Sequence, residues 1–300
     1  MREQRPVTPI DGTRGNGDRA QESETERIRR ISEGIYVDEK TARVGIASIN
    51  LFSGFRETSE AVRKSGVHRL VDLCCGYAHV GRDYYYGFED TTKEKGLLEK
   101  GIEEYTGVDV VNNDMQGEFA DEESQKTLKW SYKKSEALLY LAEQPDNSAH
   151  IMMCGLDGFT TQGEIRDWSL EMFKQLKRVV PNGGVMCLQG FIFNNGVLEL
   201  SSLKGAFPEV ARYLPDRLSV KGRKADDTIY EPSQFGLEPV RMTDSASGYK
   251  FVDEKLGVDW YFFAKPERWT DFDDHGSVSE ETISTAGAGH GMPFYLINKK

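Results

Sequence analysis

The sequence predicts an α/β protein: a doubly wound, mostly parallel sheet of seven strands with an antiparallel strand pair at its C-terminal end. Two observations carry this. Short runs that are apolar on both faces alternate with stretches of helix-forming composition, the pattern of a parallel sheet covered on both sides. Near the end, "LEPVRMTD" and "GVDWYFFAKP" are separated by a Gly/Ser-containing stretch with no long helix, which suits two antiparallel neighbours.

In order, residues 1–25 are polar and nearly free of large apolar side chains, so they cannot offset the entropy of ordering and are expected to be disordered. Residues 26–66 read as N-terminal helices; "SINLFSGFRETSEAVRKSG" spaces Leu51, Phe52, Phe55, Ala61 and Val62 along one helix that stops at Gly66. The sheet core is expected over 67–266, within a domain spanning 26–266. Its apolar runs are "VHRLVDLCC", "YTGVDVV", "KTLKWSY", "AHIMMCGL" and "GGVMCLQGFIF". Between them lie the helical segments "EKGLLEKGIEEY", "DMQGEFADEESQ", "SEALLYLAEQ" and "IRDWSLEMFKQLKRVV". Residues 267–300 read as an acidic, Gly-rich linker ending in "MPFYLINKK", a short final strand or docking segment.

Composition removes several function classes. No run of about 18 apolar residues exists to span a membrane, and the first 24 residues lack the apolar stretch of a secretory signal. A net charge of −11 argues against wrapping a nucleic-acid backbone. Two basic clusters, Arg27/Arg29/Arg30 and Lys221/Arg223/Lys224, read as solvated faces. Four cysteines, two of them adjacent, make no disulfide framework, so a reducing, cytoplasmic setting is expected. Cysteine and histidine spacings, His275 and His290 included, supply no metal site.

The chemistry concentrates where the first strand ends, in "VDLCCGYAHVG". Ligands of doubly wound sheets bind outside the carboxyl ends of the strands, and a turn of small residues lets backbone N–H groups approach them. Gly76 can adopt a positive φ, and Cys74 and Ala78 are small. Neither G-x-G-x-x-G nor the P-loop pattern is present, which argues against a nicotinamide-dependent oxidoreductase and a nucleotide-triphosphate site. Asp72 inside the strand end would repel a phosphate but form a charge-assisted hydrogen bond with a cation.

These residues resemble the first motif of the class I S-adenosylmethionine-dependent methyltransferases, an apolar strand, an acid and G-x-G-x-G, with Asp72 as the acid, Gly76 as the central glycine and Cys74 and Ala78 replacing the outer ones. The resemblance implies S-adenosyl-L-methionine as cofactor and further contacts in order. Asp109 would accept the ribose hydroxyls, unless it is a surface acid capping a turn, and Val110 would lie against adenine. Ser135 or Glu136 would bond the adenine amino group, although Ser135 equally suits a helix N-cap. Cys154 and Gly155 would line the site. "LKRVVPNGGVMCL" resembles the family's turn before strand five, with Pro181, Gly183 and Gly184 matching.

Methyl transfer needs positioning more than acid–base help; His79 and Asp157 are the candidates for a base where an acceptor needs one. His79 also reads as a helix-start residue and Asp157 as a cap. Acceptor contacts are expected from "INLFSGF", from Phe191, Phe193, Asn194 and Asn195, and from Tyr84, Tyr85 and Tyr86. The (Asn/Asp)-Pro-Pro-(Tyr/Phe) of nucleic-acid amino methyltransferases is lacking, which favours a small-molecule or protein acceptor. The alternative is a non-catalytic module of the same fold acting through protein partners. The oligomeric state, a homo-oligomer included, stays open.

Overall fold

The computed structural model of the chain describes residues 23–33, 48–76, 80–81, 91–111, 114–153, 165–194, 197–199, 217–219, 238–244, 247–254, 256–263 and 292–300. Helix α1 (Glu24–Glu33) starts at a reciprocal cap. Ser23 Oγ accepts from the Glu26 N–H at 3.2 Å, and Glu26 Oε2 accepts from the Ser23 N–H at 3.0 Å. Order therefore begins before residue 25, while 1–22 lie outside the described residues.

The helix expected to run to Gly66 is two helices, α2 (Ser48–Gly54) and α3 (Glu57–Ser65). The break buries Phe55 completely, and the Arg56 N–H donates to Met242 O at 2.9 Å instead of continuing a helix. Thr58 Oγ1 donates to Phe52 O at 2.8 Å across the joint, so the backbone freed by the break is satisfied. Gly66, left-handed, closes α3 as expected.

Five strands are parallel: β1 (Arg69–Leu73), β2 (Glu104–Asp109), β4 (Lys126–Lys134), β5 (His150–Met153) and β6 (Val185–Asn194). They lie in the order β4-β2-β1-β5-β6. Helix α4 (Thr92–Glu99) precedes β2, α5 (Ala137–Glu143) follows β4, and α6 (Ile165–Val179) precedes β6. The chain steps outward from β1 to β4 and then returns to β5 on the other side. In doubly wound sheets such a reversal is where ligand-binding crevices form, here beside the carboxyl end of β1.

The sheet is larger and more mixed than the seven strands expected: ten strands form one hydrogen-bonded path, and two short ones branch from it. "DMQGEFADEESQ", expected to be helical, supplies β3 (Met115–Asp121), antiparallel to β4. The space a Cβ would fill at Gly117 is taken by the Trp130 ring, 2.3 Å away, so this strand is cut to fit its partner. The turn back to β4 is stapled by the Ser124 N–H donating to Asp121 Oδ2 at 3.1 Å. β7 (Val197–Glu199) pairs with β6 and with β8 (Arg217–Ser219).

The expected antiparallel pair is not directly paired. β10 (Ser247–Asp253) lies between β9 (Glu238–Arg241) and β11 (Val258–Phe263), in the stretch read as a connection. Beyond the expected core limit at 266, β12 (Met292–Asn298) enters the sheet between β6 and β11, antiparallel to both. Its Phe294, Tyr295 and Leu296 are fully buried, which is why a segment this apolar cannot remain a free tail. Asn298 Nδ2 then donates to Val180 O at 2.7 Å and Lys177 O at 3.2 Å.

The end of the sheet away from the crevice is pinned by His150. Its Nδ1 accepts from the Val185 N–H at 3.0 Å, so the ring proton sits on Nε2, 3.0 Å from Val67 O. Burial holds the imidazole's pKa down to about 4.

Candidate functional site

The crevice is built from the turn after β1 and the ends of β2 and β4. Asp72 lies in β1, opposite Gly107 of β2 and Met152 of β5. Gly107 pairs in turn with Tyr132 of β4, whose ring takes the space a side chain at Gly107 would need. A Cβ on Gly107 would stand 2.6 Å from the Tyr132 ring and 3.0 Å from Cys75 Sγ. From the same face of β2, the Tyr105 hydroxyl donates to Asp72 Oδ2 at 2.8 Å. Asp72 is only 1% exposed. Burial pushes its pKa up to about 8, opposed by the Tyr105 hydrogen bond and reinforced by the nearby negative charge of Asp109. The carboxylate expected inside the strand end is thus an enclosed group whose carboxyl is mainly protonated at neutral pH.

The turn itself has two residues in the left-handed region, Cys74 at φ 56° and Gly76 at φ 57°. Gly76 takes that conformation freely; Cys74 takes it at a cost, since a Cβ is disfavoured there. The Gly76 N–H donates to Asp109 Oδ2 at 2.8 Å, and Asp109 Oδ1 accepts from the Val111 N–H at 3.1 Å. Asp109, expected at the end of the second strand, thereby ties that strand end to the glycine turn of the first. Val110 follows it, half-buried. The Cys75 N–H adds a bond to Val108 O at 3.3 Å.

From β4 the chain reaches the same place. The Ser135 N–H donates to Asp109 O at 3.3 Å, so Ser135 and Asp109 are neighbours through the backbone. The N-cap of α5 is Glu136, not Ser135: Glu136 Oε2 accepts from the Leu139 N–H at 2.9 Å, while Ser135 Oγ turns to Glu136 O at 3.1 Å. The other carboxylate oxygen, Oε1, accepts from Trp168 Nε1 at 3.1 Å. Burial pushes the half-buried Cys74 thiol well above its ordinary pKa, and the charges of Asp109, Glu136, Cys75 and Asp72 add to this. One small, polar, acid-lined region therefore gathers Asp72, Cys74, Gly76, Asp109, Ser135 and Glu136.

Ala78, His79, Cys154, Gly155 and Asp157 lie outside the described residues, as do Tyr84, Tyr85, Tyr86 and Asn195. Two side chains that contact these residues were not anticipated from sequence. Tyr105 could have been found from its place two residues before Gly107, on the same strand face as Asp72; Trp168 had no sequence signal beyond a helical context. Among the described residues, no group of three or more His, Cys, Asp or Glu side chains could hold a metal ion, and no helix is long and apolar enough to cross a membrane.

No protein-family model matches the sequence, and no curated relative matches it. Solved structures similar to it include the 1,6-didemethyltoxoflavin-N1-methyltransferase of Burkholderia thailandensis, bound to 1,6-didemethyltoxoflavin and S-adenosylhomocysteine. The identity is 12%, over 98% of this chain and 99% of that one, with a TM-score of 0.32. A SAM-dependent methyltransferase from Archaeoglobus fulgidus is 16% identical over 81% of this chain and 92% of that one, with a TM-score of 0.27. A 16S rRNA (adenine(1408)-N(1))-methyltransferase from Catenulisporales acidiphilia is 12% identical over 80% and 89%, with a TM-score of 0.26. TM-scores this low carry no weight for fold or function.

Proposed function

We propose that this chain binds S-adenosyl-L-methionine in the crevice between β1, β2 and β4 and transfers its methyl group to a small-molecule or protein acceptor. The observation that carries the reading is the Asp109 clamp: one carboxylate joins the end of β2 to the Gly76 N–H in the turn after β1. That is the pair of positions at which the sequence resembles the methyltransferase family. It also occurs where the strand order reverses.

The residues present suit such a ligand chemically. Each Asp109 oxygen accepts one backbone N–H and keeps a further lone pair for a hydroxyl donor. Gly76 offers a turn without a side chain, and Glu136 offers a second carboxylate beside it. An acid-lined turn favours a ligand with a positive sulfonium and ammonium over an anionic one. When bound, the cofactor supplies an electrophilic methyl group on a sulfonium. The chain's own work is positional: Asp109 fixes the sugar end and, through Gly76, the turn. Glu136 lies at the base end. Asp72, enclosed and bonded to Tyr105, sets the shape of the strand end from which the turn springs. Holding both partners in line supplies most of the acceleration in such a displacement. His79 and Asp157 remain the candidates for a base. The missing Pro-Pro motif and the net charge of −11 favour a small-molecule or protein acceptor over nucleic acid.

A thermal-shift series with S-adenosylmethionine, S-adenosylhomocysteine and NAD tests this. Ligand at about a hundred times its Kd adds about 2.7 kcal/mol, a rise of roughly 5 °C for a chain of this size. Stabilisation by the first two alone is expected; none by either, or equal stabilisation by NAD, contradicts the reading.

A further inference from the structure

Trp168 is near the start of α6, 32 residues from Glu136 in sequence, and only 4% exposed. Its Nε1–H donates to Glu136 Oε1 at 3.1 Å, while the Leu139 N–H occupies Oε2 at 2.9 Å. Capping α5 needs one oxygen, and the shorter Ser, Asp or Asn are the residues that usually serve. Glu136 instead has both oxygens held, one by its own helix and one by a different helix, so the carboxylate is fixed in orientation as well as position. Each oxygen accepts two hydrogen bonds, so one lone pair on each is left. These remaining sites can be used only by donors, and they belong to a half-buried group next to Asp109 and Cys74.

We propose that Trp168 is a positioning residue for base recognition: by anchoring Glu136 it presents a pure acceptor to the ligand's nucleobase. The site then takes a purine with an exocyclic amino group and rejects one with an oxo group at the same position. This rests on the reading of the crevice as an S-adenosylmethionine site. An amino group donates to the carboxylate, whereas an oxo group faces it lone pair to lone pair and leaves it unserved. Sites built on a hydrogen bond to a ligand's N–H discriminate strongly against analogues that lack it.

The test is calorimetric titration of the full chain with S-adenosylhomocysteine and with S-inosylhomocysteine, on wild type, Trp168→Phe and Glu136→Gln. Wild type is expected to prefer the adenosyl ligand by about tenfold or more. Trp168→Phe keeps an aromatic ring but removes the N–H, and should narrow that preference several-fold while the inosyl ligand binds as in wild type. Glu136→Gln, which adds an amide donor, should narrow it further. Inosyl binding unchanged in Trp168→Phe and not weakened in Glu136→Gln certifies that each variant's site is folded. Equal weakening of both ligands by Trp168→Phe would make its role merely structural and overturn the inference. So would a wild type that binds both ligands equally, which would leave the cofactor reading standing. Wild type that binds neither ligand overturns the cofactor reading itself, and this inference with it.

Discussion

Replacing Asp72 by Asn should make the protein more stable at alkaline pH and nearly leave it alone at acid pH. The carboxyl is enclosed, accepts from Tyr105 Oη at 2.8 Å, and has a pKa raised from 3.8 to about 8, first by burial. The folded state keeps a proton that the unfolded chain releases above pH 4. A raised folded pKa contributes stability that is fully present below the unfolded value and is lost as pH rises through the folded one. The gap of about four units corresponds to a ceiling of roughly 6 kcal/mol, of which about 4 kcal/mol is lost between pH 5 and pH 8. Asn has the same shape, carries no charge and can still accept the Tyr105 hydrogen bond, so its cost at pH 5 should stay within about 1 kcal/mol. Urea unfolding of wild type and Asp72→Asn, followed by tryptophan fluorescence and circular dichroism from pH 5 to 9, measures the difference directly. The Asn variant should gain several kcal/mol on wild type across that range. A difference that stays flat with pH would refute the reasoning, because it would mean Asp72 titrates like a solvated carboxyl.

His150 gives the opposite pH dependence. Its folded pKa is lowered to about 4 by burial, so its contribution is present above about 6.5 and is lost as pH falls toward 4, by up to about 3 kcal/mol. Nitrogen-15 NMR should find its ring neutral with the proton on Nε2 at pH 5.5, and a charged ring there would contradict the packing described. Gly107→Ala should lower stability by about 1–3 kcal/mol, since the added methyl falls 2.6 Å from the Tyr132 ring. A urea midpoint within error of wild type would show that the Tyr132 ring has room to move aside.

The parallel centre of this fold was legible because β1, β2 and β5 are apolar on both faces and the helices between them are not. β3 was misread because "DMQGEFADEESQ" has acidic, helix-compatible composition; its strand character comes from pairing with β4 and from the Trp130 ring lying over Gly117. The place of β12 could not be read from order along the chain, since it enters between strands formed about thirty and one hundred residues earlier. At the site, Asp109, Gly76 and Glu136 were legible as types at strand ends. The enclosure of Asp72 was not, because it depends on a neighbouring strand bringing the Tyr105 hydroxyl to the carboxyl. Ser135 suited a helix cap by propensity; Glu136 takes the role, and its second oxygen is held by Trp168 from another helix, a contact that order along the chain does not reveal.

The central claim is that the crevice clamped by Asp109 holds S-adenosylmethionine, and titration calorimetry with that ligand and S-adenosylhomocysteine tests it most directly, on wild type and Asp109→Ala. Micromolar binding by wild type, weakened by tenfold or more in the variant, about 1.4 kcal/mol, is the result expected. Absence of binding to both ligands by correctly folded wild type, or binding that Asp109→Ala leaves unchanged, would contradict it.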